Sequence, residues 1–166
     1  LRGRIHVGGQ AGVGAGRAGE APAVELAEGL EGLGLEVARF KTGTPPRVDG
    51  RTVDLDALVR QDGEFEAYRF AAYAREELPE QRPCWITWAG DELKAIVRAN
   101  LGRSALYGGA ISGRGPRYCP SIEDKVVRFA EPATHQLVPE PEGRQAPEIY
   151  VNGLPTSLPR DAQHPA

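Results

Sequence analysis

Ala21-Pro22-Ala23-Val24-Glu25-Leu26-Ala27-Glu28-Gly29-Leu30-Glu31-Gly32-Leu33-Gly34-Leu35-Glu36-Val37-Ala38-Arg39-Phe40 is the stretch on which the fold class turns. Ala23, Leu26, Ala27, Leu30 and Leu33 recur at the spacing of one helical face. Pro22 suits a first turn, and Gly34 stands where a C-terminal cap belongs. The spacing predicts a helix over 21–34. Leu35 to Phe40 reads as a strand, ended by Thr42-Gly43-Thr44-Pro45-Pro46 because a proline pair cannot continue a hydrogen-bonded ladder. Upstream, Arg4 to Gly8 reads as another short strand, followed by a glycine-rich loop over 9–19. Strand, helix, strand is the repeating unit of an α/β sheet, so α/β is the fold class expected.

Working outward, Pro83 to Trp88 has strand composition, and Asp91 to Leu101 sets Leu93, Ile96, Val97 and Leu101 on one helical face. His135 to Val138 and Glu148 to Val151 read as strands flanking the loop Glu140-Pro141-Glu142-Gly143. A helix over 64–77 is suggested by Phe65, Tyr68, Phe70 and Tyr73 among charges. The chain has 21 glycines and 14 prolines in 166 residues, which implies many tight turns and excludes a helical bundle.

That length suffices for one ordinary core. Leu1 opens the chain and no methionine occurs in it, so it is expected to be an internal segment of a longer polypeptide. No apolar run reaches the roughly 20 residues of a membrane span, and a soluble, cytoplasmic chain with no membrane partner is expected. The net charge of −3 gives no whole-chain case for nucleic-acid binding, so any RNA contact must come from a local patch. Arg98, Arg103, Arg114, Arg117, Lys125 and Arg128 are the candidates for one, against the simpler reading of solvated surface. His6, His135 and His164 lack metal-ligand spacing, and no metal site is expected.

Gly14-Ala15-Gly16-Arg17-Ala18-Gly19 satisfies the G-x-G-x-x-G dinucleotide pattern. In a true fingerprint the first glycine follows the strand directly, whereas Gly14 lies well downstream of Gly8. Glu36, the acidic candidate, opens the next strand instead of closing it. The spacing therefore argues against a pyrophosphate site here.

Cys119-Pro120-Ser121-Ile122-Glu123-Asp124-Lys125 carries more chemistry. If a helix begins near Ser121, then Ser121 and Asp124 form a capping box and Cys119 stands at the helix's positive end, which favours a thiolate. Arg117 and Lys125 push the same way, and Glu123 and Asp124 oppose them. A packed small hydrophobe is the competing reading of Cys119, and the preferred one for Cys84 in its apolar strand.

Gly115-Pro116-Arg117-Tyr118-Cys119-Pro120-Ser121-Ile122-Glu123-Asp124-Lys125-Val126-Val127-Arg128-Phe129 closely resembles a signature of the MnmG/GidA family. Gly16-Arg17-Ala18-Gly19-Glu20, Lys41-Thr42-Gly43-Thr44-Pro45-Pro46-Arg47, Glu140-Pro141-Glu142-Gly143 and Asn152-Gly153 with Thr156-Ser157-Leu158-Pro159 resemble the same family in the same order. The resemblance implies a Rossmann-like FAD/NAD(P)-binding flavoprotein with an inserted mixed α/β domain. Residues 1–48 would be a remnant of the FAD domain, and 49–166 the nicotinamide-binding or substrate region returning towards it. It implies that Gly115 to Phe129 meets NAD(H), that Cys119 is the catalytic thiol and that methylenetetrahydrofolate is the co-substrate. The expected reaction is installation of a carboxymethylaminomethyl group at C5 of the wobble uridine of tRNA. The expected partners are tRNA and a tRNA-modification GTPase, in a heterotetramer built on a homodimer. The family's own FAD fingerprint would precede Leu1, so this segment alone is expected neither to retain FAD nor to be active. Competing readings are a folate- and FAD-dependent tRNA uracil methyltransferase and a non-catalytic nicotinamide- or RNA-binding module.

Overall fold

A computed structural model describes residues 2–9, 12–16, 19–63, 72–73, 80–113, 115 and 119–165. The N-terminal part holds β1 (Arg4–Ile5) and β2 (Val13–Gly14), paired antiparallel with Arg4 opposite Gly14, and the helix α1 (Val24–Gly32). α1 ends as its sequence requires. Gly34 has φ +80°, its N–H reaches Glu31 O at 2.9 Å, and Leu35 N–H reaches Leu30 O at 3.1 Å. That is a Schellman motif, open to glycine because a Cβ is strained at positive φ.

Two expectations fail here. The strand expected over Leu35 to Phe40 is absent: residues 35–39 are irregular, with only a bridge at Phe40. The segment expected to be a strand over Arg4 to Gly8 is a strand only at Arg4–Ile5, and its partner is the next hairpin arm. The physical reason is common to both. A strand exists only in a ladder, and among the described residues no parallel neighbour is offered to either. The same pairing puts Gly14 inside β2 and α1 starts only at Val24, so Gly14 does not stand at a strand-to-helix turn. The helix expected over 64–77 falls almost wholly outside the described residues.

The rest is built on a five-stranded antiparallel sheet. β3 (Arg47–Asp49), β4 (Val59–Gln61), β5 (Cys84–Ala89), β6 (His135–Pro141) and β7 (Glu148–Asn152) lie in the order β3-β7-β6-β5-β4. Thr87 stands opposite Leu137, and Glu140 opposite Tyr150. β6 alternates as a half-covered strand should, with His135 and Leu137 buried and Gln136 exposed.

One layer of helices covers that face. α2 (Asp91–Asn100) turns Leu93 and Val97 inward, α3 (Ile122–Arg128) turns Ile122 and Val126, and the short α4 (Arg160–Gln163) adds Ala162. With Ala89, Leu137 and Leu158 these form one core, flanked by Leu101, Val151 and Leu154. The α/β class expected from the sequence is observed. Among the described residues no helix is long and apolar enough to cross a membrane.

Candidate functional site

Three segments distant in sequence meet at the start of α3. Ser121 caps the helix, its Oγ accepting from Asp124 N–H at 3.1 Å and donating to Asp124 Oδ2 at 3.3 Å. This is the capping residue read from the sequence, and it leaves Asp124 facing outward. Opposite, Gly43 packs so tightly on Pro155 that a Cβ would lie 2.9 Å from the ring. Only glycine allows that approach, and it brings Lys41 and Thr42 against the turn before α3. Thr44 and Thr156 form a bridge, with Thr156 N–H donating to Thr44 O at 3.3 Å.

The result is a cleft lined by Lys41, Thr42, Gly115, Cys119, Ser121 and Asp124 among others. Cys119 is exposed, and its Sγ lies 3.9 Å from Thr42 Oγ1. Tyr107 donates its phenol to Asp124 Oδ1 at 3.1 Å. Partial burial, then that bond and the Asp124 charge, push the Tyr107 pKa up to about 12.

The other residues of the signature have different placements. Ile122 and Val126 are core, while Val127, Arg128 and Phe129 are exposed. Pro120 is half-buried, and Pro116, Arg117 and Tyr118 lie outside the described residues. Glu123 is wholly buried. Its Oε1 accepts from Ser157 N–H at 2.8 Å, Ser157 Oγ at 3.0 Å and Thr156 Oγ1 at 3.2 Å. Ser157 in turn accepts on its carbonyl from Gly8 and Ala105 and on its Oγ from Leu106 N–H. Glu123 thus anchors the cleft floor and does not line the cleft.

Lys125 Nζ donates to Gly153 O at 2.7 Å. Burial pushes this ammonium below its usual range, and the neighbouring Cys119 sulfur, when ionised, opposes the shift. Of the expected run of cations, Arg114 and Arg117 lie outside the described residues, and Arg103, Lys125 and Arg128 are engaged. Arg103 bonds Asp161 at 2.6 Å and Asn100 at 2.7 Å, and Arg128 lies 3.8 Å from Asp124. Cys84 fits the packed reading: burial raises its thiol pKa, and Glu140 acts in the same direction. Lys41 and Thr42 are the cleft residues that sequence reading passed over. Their only signal was membership of a glycine-proline motif, which reads as a turn.

The chain was compared with known proteins. The family profile described as glucose inhibited division protein A matches residues 1–166. The chain is 48% identical over 164 residues to the tRNA uridine 5-carboxymethylaminomethyl modification enzyme MnmG of Exiguobacterium sibiricum, covering 99% of this chain and 26% of that protein. The MnmG proteins of Heliobacterium modesticaldum and Bacillus subtilis are 51% and 48% identical over 163 residues, each covering 98% of this chain and 25% and 26% of the relative. A crystal structure of Aquifex aeolicus GidA superposes with a TM-score of 0.82 at 43% identity, over 98% of this chain and 28% of that one. The chain therefore spans about a quarter of the length of the relatives it matches.

Proposed function

The chain belongs to the glucose inhibited division protein A family, and from that premise we propose that it is the thiol-bearing segment of an enzyme that installs a carboxymethylaminomethyl group at C5 of the wobble uridine of tRNA. The observation that carries the reading is an exposed Cys119 beside Lys41, Thr42 and Asp124 in one cleft. C5 of a uracil becomes nucleophilic when a thiolate adds to C6, and an exposed cysteine flanked by a cation and a carboxylate is equipped for that step.

The roles follow from placement. Cys119 Sγ adds to C6, and the ring electrons move to the C4 oxygen. Lys41 lines the same cleft and holds that enolate-like oxygen. C5 then bonds the incoming one-carbon unit as that unit's bond to its folate carrier breaks, and Asp124 takes the C5 proton, because Glu123 next to it is buried against Ser157. Thr42 positions the sulfur through its 3.9 Å contact. Expulsion of Cys119 then restores the ring.

The dinucleotides fit this segment unequally. Gly14 is paired in β2 and so does not open a flavin-pyrophosphate fingerprint, and no step is assigned to FAD here. Among the described residues of the signature, Gly115, Cys119, Ser121 and Asp124 line the cleft and would be the ones to meet NAD(H), which would supply hydride. Ile122 N–H is occupied by Pro155 O at 2.7 Å and Asp124 N–H by Ser121, so the start of α3 has few amides left for phosphate. Methylenetetrahydrofolate as co-substrate, a GTPase partner in a heterotetramer, a homodimeric core and a cytoplasmic setting complete the proposal. The division at residue 48 into an FAD-domain remnant and an inserted region belongs to it too, with the sheet opening at Arg47 as its support.

The test is Cys119→Ser in a polypeptide of the relatives' full length. Nucleoside analysis of tRNA should find the aminomethylated uridine missing while flavin stays bound and is still reduced by nicotinamide. A normal level of that nucleoside would return Cys119 to a packing role. A C5-methylated uridine in the unsubstituted protein's product would favour a methyltransferase instead.

A further inference from the structure

A second cleft opens beside the first. Arg2, Arg4, Arg39, Phe40 and Lys41 line it, and among the described residues its lining contains no Asp or Glu. That is unusual on a chain whose net charge is −3. Arg2 is ion-paired with Glu31 and receives Arg39 Nη1–H on its carbonyl at 3.0 Å. Arg4, Arg39 and Lys41 have no carboxylate partner among the described residues. Between the last two stands Phe40, a ring 72% exposed. Lys41, Thr42 and Ile111 line both this cleft and the Cys119 cleft, so the two are continuous.

We propose that this cleft is the track for the single-stranded RNA that delivers the target uridine to Cys119, with Arg4 and Arg39 meeting backbone phosphates and Phe40 stacking on a base. The inference rests on the tRNA reading above and names the surface that meets it. Exposed cations interleaved with an exposed aromatic are how proteins hold single strands. A dinucleotide would use the cations but leaves an aromatic at this exposure without a role. The arginines expected to form an RNA patch around Cys119 are the less suitable set, because Arg103 and Arg128 already face carboxylates and Lys125 is spent on Gly153.

The test uses the full-length polypeptide and a fluorescent anticodon stem-loop RNA with uridine at the wobble position. Arg4→Gln with Arg39→Gln should weaken binding about tenfold or more at moderate salt and flatten the log–log salt dependence by about 1.4, the value for two lost single-strand phosphate contacts. Phe40→Ala should weaken it about fivefold or more with the salt slope unchanged. Arg4→Lys with Arg39→Lys keeps the charge and should bind within about twofold of the unsubstituted protein. Unchanged RNA affinity in the glutamine pair would overturn the proposal. So would equal losses in the lysine and glutamine pairs, or a loss of flavin or nicotinamide retention with RNA binding intact. If the unsubstituted protein modifies the wobble uridine while these variants bind RNA normally, only the cleft assignment falls. If it does not modify it, the activity falls first.

Discussion

Residues 47–165 and residues 2–46 carry comparable proportions of apolar sequence and use it in opposite ways. In the first region, one sheet face and three helices bury Leu93, Val97, Ile122, Val126, Leu137 and Leu158 against one another. In the second, α1 has a clear helical signature, yet Ala27 is its one buried residue, and Leu26, Leu33 and Leu35 are 57%, 79% and 55% exposed. Val13 is exposed as well. Periodicity reports that a face is made to be covered; it does not report that the cover is at hand. With about a quarter of the relatives' length present, the sheet region holds its own core and the N-terminal region holds half of one. The cleft around Cys119 draws on both, since Lys41 and Thr42 come from the uncovered side.

The largest effect should come from the centre of the sheet region. Ile122 is 1% exposed and packs between α2 and the sheet. Ile122→Ala should destabilise the chain by about 2–5 kcal/mol, the usual cost of emptying a buried aliphatic site. Chemical denaturation followed by circular dichroism measures it. A cost below about 1 kcal/mol would mean that the core is not the cooperative unit and would break the comparison.

Next comes Glu123. Glu123→Ala removes an acceptor that serves Ser157 N–H, Ser157 Oγ and Thr156 Oγ1 and leaves a buried amide unpaired. The expected loss is about 2–3 kcal/mol. Asp124→Ala, one residue on, should cost far less stability but abolish uridine modification in the full-length protein. If the two carboxylates swap these phenotypes, the assignment of anchor and base is reversed.

What was legible beforehand divides along physical lines. The cap at Ser121, the end of α1 at Gly34 and the strands at Cys84–Ala89 and Glu148–Asn152 rest on local sequence, and each stands where the residues put it. The strand expected over Leu35 to Phe40 depended on a distant neighbour, which no local pattern supplies. The nearness of Thr42 to Cys119 joins residues 77 apart, and it follows from Gly43 closing on Pro155, a contact that reads in sequence only as a turn. Glu123 and Asp124 could not be ranked because adjacent helical residues differ only in the side of the helix they face, and the packing partner decides which side is inside.

A smaller effect is tied to pH and to the sheet region alone. His135 is buried, and that burial, reinforced by Lys94 and Lys125, holds its imidazole below the ordinary value. Lys94 is itself buried and donates to the carbonyls of Pro132 and Ala133. The unfolded chain takes up a proton at His135 near the usual pKa of about 6.5, and the folded chain only at lower pH. Stability from this group is therefore complete above about pH 6.5 and is lost as pH falls towards the folded-state value. Thermal melts across this window should show the decline, and His135→Gln should flatten it. An unchanged pH dependence in the variant would assign the effect elsewhere.

The smallest effect is also the one that tests the contrast most directly. Leu33 closes α1 and is 79% exposed, so Leu33→Ala removes atoms that already face water. In this chain the change should alter stability by less than about 0.5 kcal/mol, as surface substitutions do. In a polypeptide of the relatives' full length the same substitution should cost about 2 kcal/mol or more, because a leucine on a helical face is then buried and its truncation leaves a cavity. The difference between the two measurements is the quantity of interest, since each serves as the control for the other: propensity and local contacts are identical in both, and only the cover differs. A cost of about 2 kcal/mol in the short chain would mean that α1 already packs its apolar face. A cost near zero in both would mean that the face stays open, and the pattern that predicted the helix would need another reason, such as a partner chain.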